Sequence, residues 1–331
     1  MRRMFLLLAM LISFNLFAKP LTFCVTGDSR GKASKNDNLP FNKKIIEKLI
    51  KSLNAEGNKP KFILFNGDLV SGYSKQLKEQ LTAWRDNVMK PLLDEGIKVY
   101  VMRGNHDQAI GWGWNKPGGQ KALDAWNEVF SGKYAMPQNG PEGEKGVTYY
   151  VKEGNTLCFV LDPYKSDQFH SVNYKWVAEV LEKYKNVKDL HVIVTAHEPV
   201  YSAAHKDCLA TVPKKRDKLL DVITAAGGVA YFCGHDHFYN HAQIDFKGKD
   251  YHQFICGTAG APLKNWKPKY REPNVKSVKF DKGFGYMIVE VNGKKASMVM
   301  KSWPEAGEKP KNLDKKTNTF IIDSFEYTLK K

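Results

Sequence analysis

Cysteine is scarce in this chain: five occur in 331 residues, Cys24, Cys158, Cys208, Cys233 and Cys256, and no two have Cys-x-x-Cys spacing. That spacing rules out a zinc ribbon and a thioredoxin-type redox site. Four of the five lie in apolar, strand-like runs where cysteine serves as a small core residue. A disulfide framework is therefore not indicated, with a single bridge through Cys208 left open. Long hydrophobic runs are missing beyond residue 18, which excludes a polytopic membrane protein. Internal repeats, low-complexity tracts and basic runs interleaved with aromatic residues are also missing. A repeat array and a dedicated nucleic-acid partner are set aside on those grounds.

Acidic residues are in the minority. Lys and Arg number 51 against 35 Asp and Glu, a formal charge of +16, which favours anionic partners such as phosphate esters and equally serves solubility. At the N-terminus, Arg2 and Arg3 precede an apolar run from Met4 to Phe17, with Ala18 ahead of Lys19-Pro20. This is the pattern of a cleavable export signal over residues 1–18 rather than a membrane span. The expectation is a periplasmic or secreted protein with no membrane contact once the signal is removed. One α/β domain accommodates the remainder, read as a domain over 19–303 followed by a C-terminal loop and strand over 304–331.

Hydrophobic periodicity predicts strands over 21–26, 61–65 and 99–103, alternating with a helix over 42–53 and a long helix over 75–90 stopped by Pro91. A helix over 121–130 follows, then strands 147–152 and 156–161 meeting at Gly154-Asn155. Helices over 172–184 and 214–226 lead into strands 190–195 and 229–233. Hairpins then turn at Lys247-Gly248 and Asn292-Gly293, and the stretch from 311 to 331 reads as a last strand. Alternating strands and helices argue for a layered α/β sheet.

Five motifs fall near the carboxyl ends of those strands, the edge where open α/β sheets bind ligands: Gly27-Asp28-Ser29-Arg30, Gly67-Asp68, Gly104-Asn105-His106-Asp107, His197 and Gly234-His235-Asp236-His237. Asp, Asn and His make up the oxygen and imidazole donor set of a divalent ion, and a carboxylate such as Asp68 can bridge two ions. A pair roughly 3.5–4 Å apart can hold the attacking hydroxide and clamp phosphate oxygens. His106 is placed beside Asn105 to protonate a leaving alkoxide, with Asp107 orienting its ring or raising its basicity. His170, His191, His205, His241 and His252 lack motif context and read as surface or core residues, with His205, in the polar loop after Tyr201, set apart as the one that merits a second reading. Trp112 and Trp114 read as loop packing, with a wall against a substrate ring as the sharper alternative.

The ordered set resembles the calcineurin-like metallophosphoesterase superfamily, whose pattern is Asp-x-His, Gly-Asp, Gly-Asn-His-Asp/Glu, a lone His and Gly-His-x-His, over about Phe23 to Phe238. The resemblance implies a four-layer sandwich of two mixed sheets flanked by helices. It also implies two metal ions, Mn, Fe or Zn, one held by Asp28, Asp68 and His237 and the other by Asp68, Asn105, His197 and His235. His106 matches the family's leaving-group histidine. The chain departs from the pattern at Arg30, which stands where the family has a histidine and cannot ligate a metal. Arg30 serves either a forked contact to a substrate phosphate or a structural salt bridge. Purple acid phosphatases, a branch that also lacks the histidine, use a tyrosine after Gly-Asp; Tyr73 lies five residues past Asp68 rather than at their shorter spacing. The function implied is hydrolysis of a small phosphomonoester or phosphodiester by an exported enzyme. The alternative is a catalytically weakened metal- or phosphate-binding module of the same fold.

Overall fold

The computed structural model describes residues 19–31, 38–109, 119–165 and 169–330; the N-terminal segment 1–18, Trp112 and Trp114 lie outside them. Thirteen strands are found there: β1 (Leu21–Thr26), β2 (Phe62–Phe65), β3 (Lys98–Val101), β4 (Tyr149–Glu153), β5 (Thr156–Leu161), β6 (His191–Ala196), β7 (Ala230–Cys233), β8 (Tyr239–Phe246), β9 (Lys249–Cys256), β10 (Val275–Asp281), β11 (Gly285–Asn292), β12 (Lys295–Ser302) and β13 (Phe320–Thr328). They form a six-stranded sheet of order β13-β12-β11-β1-β2-β3 and a seven-stranded sheet of order β10-β8-β9-β7-β6-β5-β4. Both are mixed. β1, β2 and β3 run parallel, as do β5, β6, β7 and β9, while the hairpins add antiparallel flanks.

The parallel strands are apolar on both sides because both faces are covered. In β5, Cys158 and Val160 pack into the core between the sheets, whereas Leu157, Phe159 and Leu161 pack under helices. Those outer helices are α5 (Tyr174–Tyr184) and α6 (Pro213–Ala225), which contribute Trp176, Val177, Leu219 and Leu220. Against the other sheet lie α1 (Lys43–Ala55), α2 (Leu77–Trp84), α3 (Lys90–Asp94) and α4 (Gly119–Val129), through Ile45, Leu49, Leu81, Trp84 and Trp126. The result is the four-layer α-β-β-α sandwich. α1 begins where expected because Asn42 caps it, accepting from the Ile45 N–H.

Two expectations are corrected. Pro91 does not end the long helix: a wide turn over Arg85–Met89 joins α2 to α3, and Pro91 sits in the first turn of α3. A wide i→i+5 turn realigns the carbonyls, so the missing N–H of proline disrupts no regular ladder bond. The last strand is shorter than the stretch read from sequence, and it pairs along β12 as the edge of the first sheet. All five cysteines, Cys208 included, are buried free thiols.

Candidate metal centre

The parallel strands of both sheets deliver their carboxyl ends to one place. Asp28 follows β1, Asp68 follows β2, Asn105 and His106 follow β3, His197 follows β6, and His235 and His237 follow β7. All but Asn105 are buried. Asp28, Asp68 and His235 carry positive φ angles of 60°, 51° and 71°, a left-handed backbone that is costly for residues bearing a side chain and concentrates at functional sites. Their neighbouring glycines allow close approach: a Cβ on Gly104 would fall 2.2 Å from Asp68 Oδ1, and one on Gly234 2.2 Å from Asp28 Oδ2.

Four donor atoms gather around Asn105. Its Oδ1 lies 3.2 Å from His197 Nε2 and 3.0 Å from His235 Nδ1, and His197 Nε2 lies 3.4 Å from Asp68 Oδ1. His197 Nδ1 donates to the Asn66 carbonyl at 2.7 Å, which leaves a lone pair on Nε2. Asn105 Nδ2 donates to the Tyr73 hydroxyl at 3.0 Å, which directs Oδ1 inward. His197 Nε2, Asn105 Oδ1 and Asp68 Oδ1 thus face one another as acceptors, the arrangement that a cation resolves. The donors fit a transition metal of mixed nitrogen and oxygen preference. Burial holds His197 neutral, its pKa lowered to about 4. Burial also works to lower His235, but the carboxylates of Asp207 and Asp236 outweigh it and raise its pKa to about 9.

The second set, Asp28, Asp68 and His237, places one ligand atom from each within 4.8 Å of the others. Arg30 already reaches it. Its Nε donates to Asp68 Oδ2 at 3.1 Å and its Nη2 lies 3.2 Å from His237 Nε2. Burial opposes ionisation of both carboxylates, yet His106, His197 and Arg30 hold Asp68 well below the usual range, while burial and the charge on Asp68 push Asp28 up.

Asp107 does not orient the His106 ring, which corrects its expected role. Its carboxylate accepts from the backbone N–H groups of Leu69, Val70 and Gly104 at 2.8–3.2 Å, clamping the loop after β2 to the loop after β3. The ring is set instead by the Ser71 carbonyl, 2.6 Å from His106 Nδ1. Adjacency in sequence is no guide here because residues 105–108 form a turn, closed by the Asp107 N–H on the Gly104 carbonyl, in which neighbouring side chains diverge. Tyr73 supports Asn105 through its hydroxyl and stands edge-on to His106, with ring centroids 4.6 Å apart.

His205, read as a surface or core residue, lies over the centre with its ring centroid 4.4 Å from that of His235. Its Nδ1 is 2.6 Å from Asp236 Oδ1, and Asp236 also accepts from the backbone of Ala204 and His205. Lys264 stands beside His205 Nε2, its backbone N–H donating to the His237 carbonyl. The unused Asp236 inside the last motif was the signal for this layer; Lys264 left none. His170 pairs with buried Glu198, His191 bridges Tyr327 and Gly293, and His241 with His252 forms a chain to Asp323, so these four are structural. Arg103 and Asp162, both buried, form an ion pair beneath the centre.

Known proteins resemble this chain in sequence and in fold. Tartrate-resistant acid phosphatase type 5 of Oryctolagus cuniculus is 28% identical over 234 residues, 66% of this chain and 67% of that protein. The same enzyme of Sus scrofa is 26% identical over 301 residues, 84% and 82% of the two chains. Among solved structures, purple acid phosphatase PPD1 of yellow lupin has a TM-score of 0.64 at 14% identity, covering 93% of this chain, which spans about half (54%) of the lupin protein. GAP50 of Plasmodium has a TM-score of 0.60 at 17% identity, covering 94% and 90%; these structural likenesses speak to the fold alone. The calcineurin-like phosphoesterase family model matches residues 21–239, the span that holds every residue of the centre except Lys264, and the chain belongs to that family.

Proposed function

We propose that this protein is a metal-dependent hydrolase of small phosphate esters, acting in an exported compartment. The observation that carries the reading is the convergence of Asp68, Asn105, His197 and His235 beside fixed cationic groups. A metal ion held by those four would polarise phosphoryl oxygens and generate a nucleophile from water at neutral pH. Arg30 and Lys264 offer N–H donors to the transferred phosphoryl group, and the guanidinium is the better match to its oxygens. His106 spends Nδ1–H on Ser71, so it can protonate a leaving alkoxide only as the imidazolium, through Nε2. Burial favours the neutral ring; a bound phosphate dianion reverses that preference. Export rests on the sequence pattern of residues 1–18; among the described residues no helix is long and apolar enough to cross a membrane.

The test is turnover of p-nitrophenyl phosphate and bis-p-nitrophenyl phosphate by protein reconstituted with Mn, Fe or Zn. Metal-dependent release of p-nitrophenol, abolished by chelation and by His197→Ala, supports the reading. Metal uptake without turnover of either ester would favour the weakened binding module.

A further inference from the structure

The geometry points to a centre in which one of the two expected cations belongs to the polypeptide: Arg30 stands among Asp28, Asp68 and His237 in place of a metal ion, and the protein binds a single ion, at Asp68, Asn105, His197 and His235. This deepens the phosphoesterase reading and rests on it for the site's purpose, though not for its charge arrangement.

The argument is a contrast between two neighbouring acceptor sets. Around Asn105, the atoms His197 Nε2, Asn105 Oδ1 and Asp68 Oδ1 face one another as acceptors, and no guanidinium or ammonium group is hydrogen-bonded to them among the described residues. Around His237 the donor is present. His237 Nδ1 donates to the Pro262 carbonyl at 3.0 Å, so Nε2 carries the lone pair that would ligate a metal. That lone pair lies 3.2 Å from Arg30 Nη2, and the Asp68 oxygen on the same side, Oδ2, accepts from Arg30 Nε at 3.1 Å. A metal ion and the guanidinium would compete for the same two atoms, and a guanidinium does not deprotonate in proteins. Its root is fixed as well as its tip. The Arg30 N–H donates to the Asp68 carbonyl, Asn42 N–H donates to the Ser29 carbonyl, and Arg30 bridges to Phe41. The side chain is 21% exposed, so its outer edge remains open to a phosphoryl oxygen.

The consequence is a site whose second positive charge does not exchange. A dinuclear centre loses function when either ion is stripped; here only one ion can be lost, and activation by metal follows a single-site isotherm. The arginine would share with the ion the stabilisation of charge on the transferred phosphoryl group.

Stripped protein titrated with Mn²⁺ alone tests this without reference to turnover. The expected result is about one ion bound per chain by elemental analysis and calorimetry, with the low-temperature EPR signal of an isolated Mn²⁺. In Arg30→His, which restores an imidazole and removes the resident cation, a second ion should bind and an exchange-coupled signal should appear. Arg30→Ala serves if the histidine variant does not fold, with a second, weaker ion expected. Two ions with coupled spins in the unaltered chain would overturn the inference while leaving the hydrolase reading intact. Folded Arg30→His and Arg30→Ala that each hold only one ion would also overturn it. One ion without ester turnover would uphold the inference and sink the hydrolase reading, and no ion at all would sink both.

Discussion

Tyr73 holds Asn105 in its ligating orientation: the Asn105 amide nitrogen donates to the Tyr73 hydroxyl at 3.0 Å, which turns the amide oxygen toward His197 and His235. Without that hydroxyl the amide is free to rotate, and half of its orientations present N–H groups to a cation.

Tyr73→Phe is therefore expected to weaken metal binding by about 10–100-fold, the usual effect of removing a partner that orients a ligand, with little change in the denaturation midpoint. Calorimetric titration with Mn²⁺ measures it. Unchanged affinity would mean that the Asn105 rotamer is fixed by other contacts.

His106→Gln should lower kcat by roughly 10²–10⁴-fold for an alkyl phosphate, the range for loss of a general acid. The loss should be far smaller for p-nitrophenyl phosphate, whose leaving group needs no proton. A steady-state comparison of the two substrates separates proton donation from a purely positional role, which would depress both alike.

Asp107→Ala should destabilise the fold, since it orphans the buried N–H groups of Leu69, Val70 and Gly104. Each orphan costs about 1–3 kcal/mol, so a loss of at least about 2 kcal/mol in urea denaturation is expected. If the variant were as stable as the parent and only its pH profile shifted, the clamp assignment would be wrong.

The chain Asp323–His241–His252 predicts an acid-sensitive fold. His241 Nδ1 lies 3.0 Å from Asp323 and its Nε2 lies 2.8 Å from His252 Nδ1, with Asp250 3.4 Å from the far nitrogen of His252 and the Tyr239 hydroxyl on Asp323. Burial, and the neighbouring His241, lower the pKa of His252 to about 4, against the pull of Asp250. The unfolded ring titrates near 6.5, so between those values the unfolded chain binds more protons, and stability falls as pH drops from about 6.5 to about 4. The loss from this residue is on the order of 2–3 kcal/mol. Urea midpoints at pH 7 and pH 4.5 should differ less in His252→Gln than in the parent.

The donor set was legible in the sequence because Asp28, Asp68, Asn105 and His235 each follow a glycine at the end of an apolar strand, and His197 and His237 lie at or just past such ends, a local pattern that needs no knowledge of the rest of the chain. The layered α/β class followed from the alternation of helical and strand periods in the same way. The mistakes were also local inferences. Pro91 was read as a stop because proline usually ends a helix, and Asp107 was assigned to the residue next to it.

The amino-acid order by itself determined which side chains can take a cation, since ligand chemistry is a property of residue type. Only the tertiary structure decided what faces them. Arg30 reaches His237 across 207 positions of sequence and Asp68 across 38, and the Pro262 carbonyl that sets the tautomer of His237 lies 25 residues beyond it. Such pairings depend on how two sheets stack and where their loops close, and that geometry is fixed by packing of the core rather than by any residue at the centre.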